Sequence, residues 1–328
     1  MPVQITIIGL GQIGASMGLS LAAHKDSILR MGHDKKLEAE REALQKGAVD
    51  KAAHNLSNAV REARLVVLAM PLSQVRDTLE FIAPDLKEGA VVLDTTPIKA
   101  GVAKWAKEIL PADHYYVGLT PALNPELLHE FKIGLDAARA DLFTNGTFLV
   151  DAPQGTPENV VTLAMDFVCL LGAQPLLTDI FESDGLMTTT HLLPQIVSAA
   201  LLNTTIDQPG WQDARKVAGR AYAAMTSGVV YQDELDSLCL SALQNRIGIL
   251  HALDLMIAAL RGFRDDLDRE DDGGVAERLK TALAGRERWL NERLAANWNP
   301  RMQTESINMP AFIERLFGSA FTRKLDKK

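Results

Sequence analysis

Cysteine, aromatic residues and basic surplus are all scarce in this chain. Two cysteines among 328 residues cannot build a disulfide framework. Cys169 and Cys239 both fall in apolar helical patterns and are expected in the core, reduced, as suits a cytosolic protein. Aromatics are 5% of residues and the formal net charge is −8. With no basic stripe, a nucleic-acid partner has no electrostatic support. None of the seven histidines sits at ligand spacing from a cysteine or another histidine, so no metal site is expected. The apolar stretch from Val160 to Leu177 is broken by Asp166, Gln174 and Pro175. It is too short and interrupted to span a bilayer, and no membrane partner is expected. The first residues enter a strand with no basic region ahead of it, so no signal peptide is expected either.

What is present begins at once. Ile5-Thr6-Ile7-Ile8 runs into Gly9-Leu10-Gly11-Gln12-Ile13-Gly14, and a small-residue helix follows from Ala15. This is G-x-G-x-x-G between a strand and a helix, the setting in which the motif binds a dinucleotide. Gly9 permits the tight turn, Gly11 lets a pyrophosphate approach the backbone, and Gly14 lets helix and strand pack closely. The helix-start N–H groups, from Gln12 and Ile13 onward, then face the phosphates. A second strand, Ser27 to His33, ends in Asp34, 20 residues past Gly14. A carboxylate there can bind a ribose 2′-hydroxyl and repels a 2′-phosphate, favouring NAD. Lys35 and Lys36 follow directly and keep NADP possible.

The first half alternates strands and helices. Ala63 to Met70 is a near-continuous apolar run, expected of a strand buried on both faces. Further strands are expected at Gly89 to Asp94, Tyr115 to Leu119, Thr147 to Asp151 and Gln174 to Thr178, with Pro175 marking an edge. The expected fold class is α/β: a Rossmann-type, doubly wound parallel sheet over residues 1–180. From Glu182 strands vanish. Helical runs follow at Asp184 to Thr204, Gln212 to Ala224, Gln232 to Asp266 and Gly274 to Ala295. These make an all-helical domain over residues 181–328, ending in a frayed Lys324 to Lys328 tail. The Gln232 to Asp266 stretch is too long to bury its apolar stripe within one small lobe. It suggests packing against a second copy, a homodimer.

Four segments together resemble the prephenate and arogenate dehydrogenases of tyrosine biosynthesis. They are Gly9 to Ser16; Ala69-Met70-Pro71 through Asp94 to Lys99; Gly134 to Phe143; and Asp184 to Leu201 with His191-Leu192-Leu193-Pro194 inside. The resemblance implies a cytoplasmic, dimeric NAD(P) enzyme that oxidatively decarboxylates prephenate or arogenate, with Met70 and Pro71 packed near the nicotinamide ribose. Several family residues are replaced. Pro97 stands for the serine of Asp-x-x-Ser-x-Lys, Thr120 for the histidine of Gly-Gly-His-Pro-Met, and Ser227 for the arginine of Asp-Phe-Thr-Arg. Ser183 stands for a histidine before Asp184, and Gln195 for the second histidine of Ser-His-Leu-Pro-His.

Those replacements bear on chemistry. Oxidising a hydroxy acid needs a base for the hydroxyl proton, worth about 10²–10⁴-fold in rate, and threonine is no base near neutral pH. Losing an arginine partner costs a bound carboxylate roughly 2–5 kcal/mol. His191 is the surviving acid/base candidate, Lys99 a candidate for polarising a carbonyl or holding a carboxylate, and Thr120 a hydrogen-bond donor to substrate. Thr95 and Thr96 are expected to cap the helix after Lys99 rather than bond the cofactor. Arg215 and Arg220 are candidates to supply the charge of the missing arginine. Two alternatives stay open: a related dehydrogenase for another small hydroxy acid, or a non-catalytic NAD-binding sensor or partner protein.

Overall fold

The computed structural model describes residues 2–130, 132–230, 234–296, 298 and 309–317. The expected Lys324 to Lys328 tail and the start of the Gln232 run lie outside them. Alternation in the first half yields β1 (Val3–Ile8), α1 (Gln12–Ser20), β2 (Ile28–His33), α2 (Leu37–Gln45), β3 (Lys51–Ala52), α3 (Leu56–Val60), β4 (Leu65–Leu68), α4 (Leu72–Ile82), β5 (Val91–Asp94), α5 (Ala100–Ile109), β6 (Tyr115–Ala122), β7 (Thr147–Asp151), α6 (Glu158–Leu170) and β8 (Gln174–Thr178). The strands form one sheet in the order β3-β2-β1-β4-β5-β6-β7-β8. β4 and β5 are buried along their whole length, as apolar runs covered on both faces should be. The Rossmann-type arrangement expected from the sequence is therefore present, with one correction. β7 runs antiparallel to β6, pairing Gly118 with Asp151 and Ala122 with Thr147, while β8 is parallel to β7. The cause is the connection: the described residues of 123–146 contain only short 3-10 turns and no crossover helix to return the chain to the opposite edge. β8, with Pro175, does form the edge.

A buried arginine ties the first elements together. Arg30 on β2 donates to Gly18 O at 2.8 Å and Gly47 O at 2.9 Å, and pairs with Asp50 at 2.6 Å. Burial alone would raise the Asp50 pKa, but its bonds to Arg30 more than offset that and hold it below the usual carboxylate value. A carboxyl with a lowered folded-state pKa stabilises the fold at neutral pH, and the contribution is lost as pH falls through the acid range.

The second half supplies α7 (Ile180–Met187), a π-helical turn at Thr188–Leu192, α8 (Leu193–Thr205), α9 (Trp211–Val217), α10 (Arg220–Thr226), α11 (Leu235–Gln244), α12 (Arg246–Asp268), α13 (Asp272–Ala295) and α14 (Met309–Phe317). Two expected runs are broken. Gln212 to Ala224 divides at Ala218 and Gly219. The long Gln232 to Asp266 run divides at Asn245, whose backbone leaves helical geometry at ψ 37°. The Asn245 amide instead donates to Asp184 O at 3.1 Å and to the Thr188 hydroxyl, an example of a short polar side chain competing with helix continuation. Ile180–Thr205 is the one described helical run long and apolar enough, by length and composition alone, to cross a membrane. Cys169 is partly buried, and burial pushes its thiol up to about 11. Cys239, expected in the core, is exposed, and both are free thiols.

The chain divides into two units, Met1–Ser183 with Asn299–Lys328, and Asp184–Trp298. The expected second domain, 181–328, is thus revised at its end: α14 rejoins the first unit. Its Phe312 and Leu316 are buried in the first unit's core, α14 packs on α6, and Arg315 pairs with Asp166 of α6. Phe312→Ala should cost about 3–5 kcal/mol, the usual range for deleting a buried ring. The measurement is the urea midpoint; an unchanged midpoint would contradict the docking of α14.

Candidate functional site

The parallel strands place their carboxyl ends along one sheet edge. β1 lies between β2 and β4, so the turn after β1 sits at the switch point where α/β folds bind ligands. The local chain geometry explains two of its three glycines without any ligand. Gly9 has φ +92°, and a Cβ there would lie 2.3 Å from Ala69 O. A Cβ on Gly14 would lie 2.0 Å from Gly9 O and 3.0 Å from the Ile7 side chain, so α1 and β1 could not close. Gly11 differs: a Cβ there meets nothing within 4 Å. It is the N-cap of α1, with no side-chain cap. The N–H groups of Gln12, Ile13 and Gly14 precede the first intrahelical donor, Ala15, which bonds Gly11 O at 3.0 Å. They are the groups an anion would meet at this helix start.

Asp34 meets this turn directly. Its Oδ2 accepts from Leu10 N–H at 2.8 Å and its Oδ1 from Lys36 N–H at 2.9 Å. Across the switch point, Ala69 N–H donates to Ile8 O at 2.8 Å. Met70 Sδ lies 3.4 Å from the Thr78 hydroxyl, and Pro71 begins α4 as its N-cap. The structure thus brings Gly9, Gly11, Gln12, Ile13, Gly14, Asp34, Met70 and Pro71 to one edge.

The end of β5 carries a different feature. Lys99 is fully buried. Its Nζ donates to Thr96 O at 2.5 Å, Asp94 O at 2.8 Å and the Asp94 carboxylate at 3.1 Å, and lies 3.4 Å from Leu119 O. Asp94 also accepts from the hydroxyls of Thr96, at 2.8 Å, and Tyr116, at 3.2 Å. A Cβ on Gly118 would lie 2.8 Å from the Lys99 side chain, so the β6 glycine makes room for it. An ammonium has three protons, and here at least three oxygens take them. Lys99 is therefore neither solvated nor available to a ligand; it ties the end of β5 to β6. Thr120 is buried beside it, its hydroxyl 3.5 Å from Thr96 O. The expected helix caps are also corrected. The Thr95 hydroxyl bonds Leu68 O at 3.0 Å, Thr96 bonds Asp94, and α5 has no side-chain cap.

Other candidates are dispersed. Asn124 serves turn geometry, accepting from Glu126 N–H at 3.1 Å and donating to Asp141 O at 3.1 Å. In the helical unit, half-buried His191 lies in the π-helical turn, and its carbonyl accepts from buried Gln195 at 3.2 Å. Ser227 is spent on Ala224 O at 2.7 Å. Arg215 and Arg220 are exposed on α9 and α10. Among the described residues no group of three or more His, Cys, Asp or Glu is arranged to hold a metal. Tyr116 and Glu40 escaped the sequence reading. Glu40 is buried three positions before buried Ala43 on α2, and that helical spacing was the available signal.

The comparisons agree with this architecture. A family model described as the nucleotide-binding domain of prephenate dehydrogenase matches residues 17–177; it begins beyond the glycine turn, whose assignment rests on its own geometry. A prephenate dehydrogenase of Bacillus subtilis is 25% identical over 291 residues, covering 85% of this chain and 74% of the relative. A cyclohexadienyl dehydrogenase of Zymomonas mobilis is 25% identical over 292 residues, covering 86% and 94%. Among solved structures, a prephenate dehydrogenase from A. aeolicus in complex with hydroxyphenyl propionate and NAD+ has a TM-score of 0.76 at 20% identity, over 88% of this chain and 98% of that one. A Synechocystis arogenate dehydrogenase gives 0.69 at 21%, over 87% and 99%.

The Lys99 network has a measurable consequence. Lys99→Met leaves the Asp94 carboxylate buried without its cation and should cost about 3–5 kcal/mol. Thermal or urea unfolding tests this; wild-type stability in the variant would show that the pair is dispensable.

Proposed function

The chain belongs to the prephenate and arogenate dehydrogenase family, and on that premise we propose that it is a NAD-dependent dehydrogenase for a small hydroxy acid of the prephenate or arogenate class. One observation carries the cofactor part. Gly9 and Gly14 are required by their own surroundings, whereas nothing in the chain crowds Gly11. A glycine that packing does not demand, at the bare start of a helix, fits a site where a pyrophosphate must come close. Leu10 N–H holds Asp34 at this turn at 2.8 Å, which suits a ribose diol. Gly9, Gly11, Gln12, Ile13, Gly14 and Asp34 would hold the dinucleotide, with Met70 and Pro71 near the nicotinamide ribose. NAD, when bound, supplies the two-electron acceptor; NADP is the possible substitute.

Substrate assignment is looser because the family's base and arginine are Thr120 and Ser227. His191 is assigned the proton of the substrate hydroxyl. Lys99 and Thr120 keep a role only in shaping the wall behind the site. A second reading, a related dehydrogenase for an acid with fewer carboxylates or an NAD-binding sensor without turnover, draws support from that same buried Lys99 and from Ser227. We further propose a cytoplasmic homodimer formed through the helical unit. Support comes from its large apolar side chains left exposed in the single chain, Val217 at 83%, Ile247 at 82% and Leu235 at 74%.

Calorimetric titration with NAD and NADP, followed by an absorbance assay with prephenate and arogenate, tests the assignment. Wild type should bind NAD more tightly than NADP. Gly11→Val should fold with at most the small loss of a poorer N-cap residue and lose NAD binding, while Gly14→Val should fail to fold stably. Turnover that persists in His191→Ala would remove the assigned base. Firm NAD binding with no turnover on either acid would favour the second reading.

A further inference from the structure

Behind Asp34 lies a cluster to which the reading above gives no role. Glu40 on α2 is 3% exposed, and its Oε1 accepts from the backbone N–H of Asp34 at 3.1 Å. The same oxygen is 3.4 Å from His33 Nδ1 and 3.3 Å from His54 Nδ1. His33 Nδ1 is also 3.0 Å from Ala53 O, an atom that can only accept. His33 therefore carries its proton on Nδ1 and donates it to Ala53 O, with Glu40 beside it. A buried carboxylate is costly unless donors meet it, and here the Asp34 N–H and the His54 ring bond one oxygen. No apolar side chain could take the Asp34 N–H in its place.

Asp34 is consequently pinned at three points. Its own N–H rests on Glu40, while its two carboxylate oxygens rest on Leu10 N–H and Lys36 N–H. Two of those points are ordinary turn geometry within or beside the glycine loop. The third depends on a side chain six residues downstream that meets the proposed ligand site through the Asp34 N–H. Resting on the cofactor assignment, we propose that Glu40 is a positioning residue for the dinucleotide: it fixes the Asp34 backbone so that the Asp34 carboxylate faces the ribose 2′-hydroxyl, with His54 holding Glu40 in turn. The effect passes through the bond between Asp34 and that hydroxyl. The loss therefore applies to NAD and not to NADP, whose ribose carries at the same position a phosphate that the carboxylate repels.

Calorimetry on the full chain with NAD and NADP tests this. Glu40→Ala should weaken NAD by roughly tenfold, the loss expected for one hydrogen bond at a charged group, and should not weaken NADP. Glu40→Ala combined with Asp34→Ala should bind NAD no more weakly than Asp34→Ala alone, since one residue acts through the other. A folded Glu40→Ala that binds NAD like wild type, or two losses that add, overturns the proposal. If Glu40→Ala does not fold, two conservative variants decide. Glu40→Gln keeps an oxygen in reach of the Asp34 N–H and should retain NAD affinity. Glu40→Asp keeps the charge but is one methylene short, and should lose it. The opposite order overturns the proposal. Wild-type protein that binds neither dinucleotide overturns the cofactor assignment itself, and this proposal with it.

Discussion

The hydrogen bond from Leu10 N–H to the Asp34 carboxylate, 2.8 Å long, joins the turn after the first strand to the end of the second. Everything proposed for the site depends on that junction. It brings the residue suited to a sugar diol beside the backbone suited to a diphosphate. It forms only because Gly9 can adopt φ +92° under Ala69 O and because Gly14 lets α1 close on β1. β1, β2 and β4 are held in register by parallel pairing from Val3 to Ile8, and Arg30 locks the far side of the same layer to Gly18 and Gly47. Precision at the turn is thus inherited from the sheet and from one buried guanidinium.

The amino-terminal architecture was legible because local chemistry and global fold agree there. Glycine spacing, an apolar run at β4 and an acid ending β2 each point to the same layer. Legibility failed where long-range packing overrides a local pattern. Nothing within residues 147–151 marks that strand as antiparallel; the direction follows from a connection with no helix among its described residues. The break at Asn245 is invisible to periodicity, since asparagine is tolerated in a helix until its amide finds Asp184 O and Thr188. The return of α14 to the first unit was equally hidden. Its apolar face at Phe312 and Leu316 reads as amphipathic, but not as a match for α6 in particular.

Lys99 shows the same limit at the level of chemistry. A lysine at the carboxyl edge of a parallel sheet looks like a ligand-binding group. Whether it reaches ligand or protein turns on Gly118, nineteen positions later, whose missing side chain opens the space that the lysine stem fills. Once inside, the ammonium must be neutralised and hydrogen-bonded, and Asp94, Thr96 and Leu119 do this. The threonines expected to cap a helix are drawn into the same region, Thr95 to Leu68 O and Thr96 to Asp94. The acid/base role proposed for His191 accordingly rests on the helical unit rather than on this buried network.

A crystal structure of the full chain grown with NAD is the most direct test. The account expects the pyrophosphate over Gly11 against the amides of Gln12 and Ile13, with the adenosine ribose hydroxyls on Asp34. NAD bound elsewhere, or a diphosphate that leaves the Gly11 turn untouched, would contradict it.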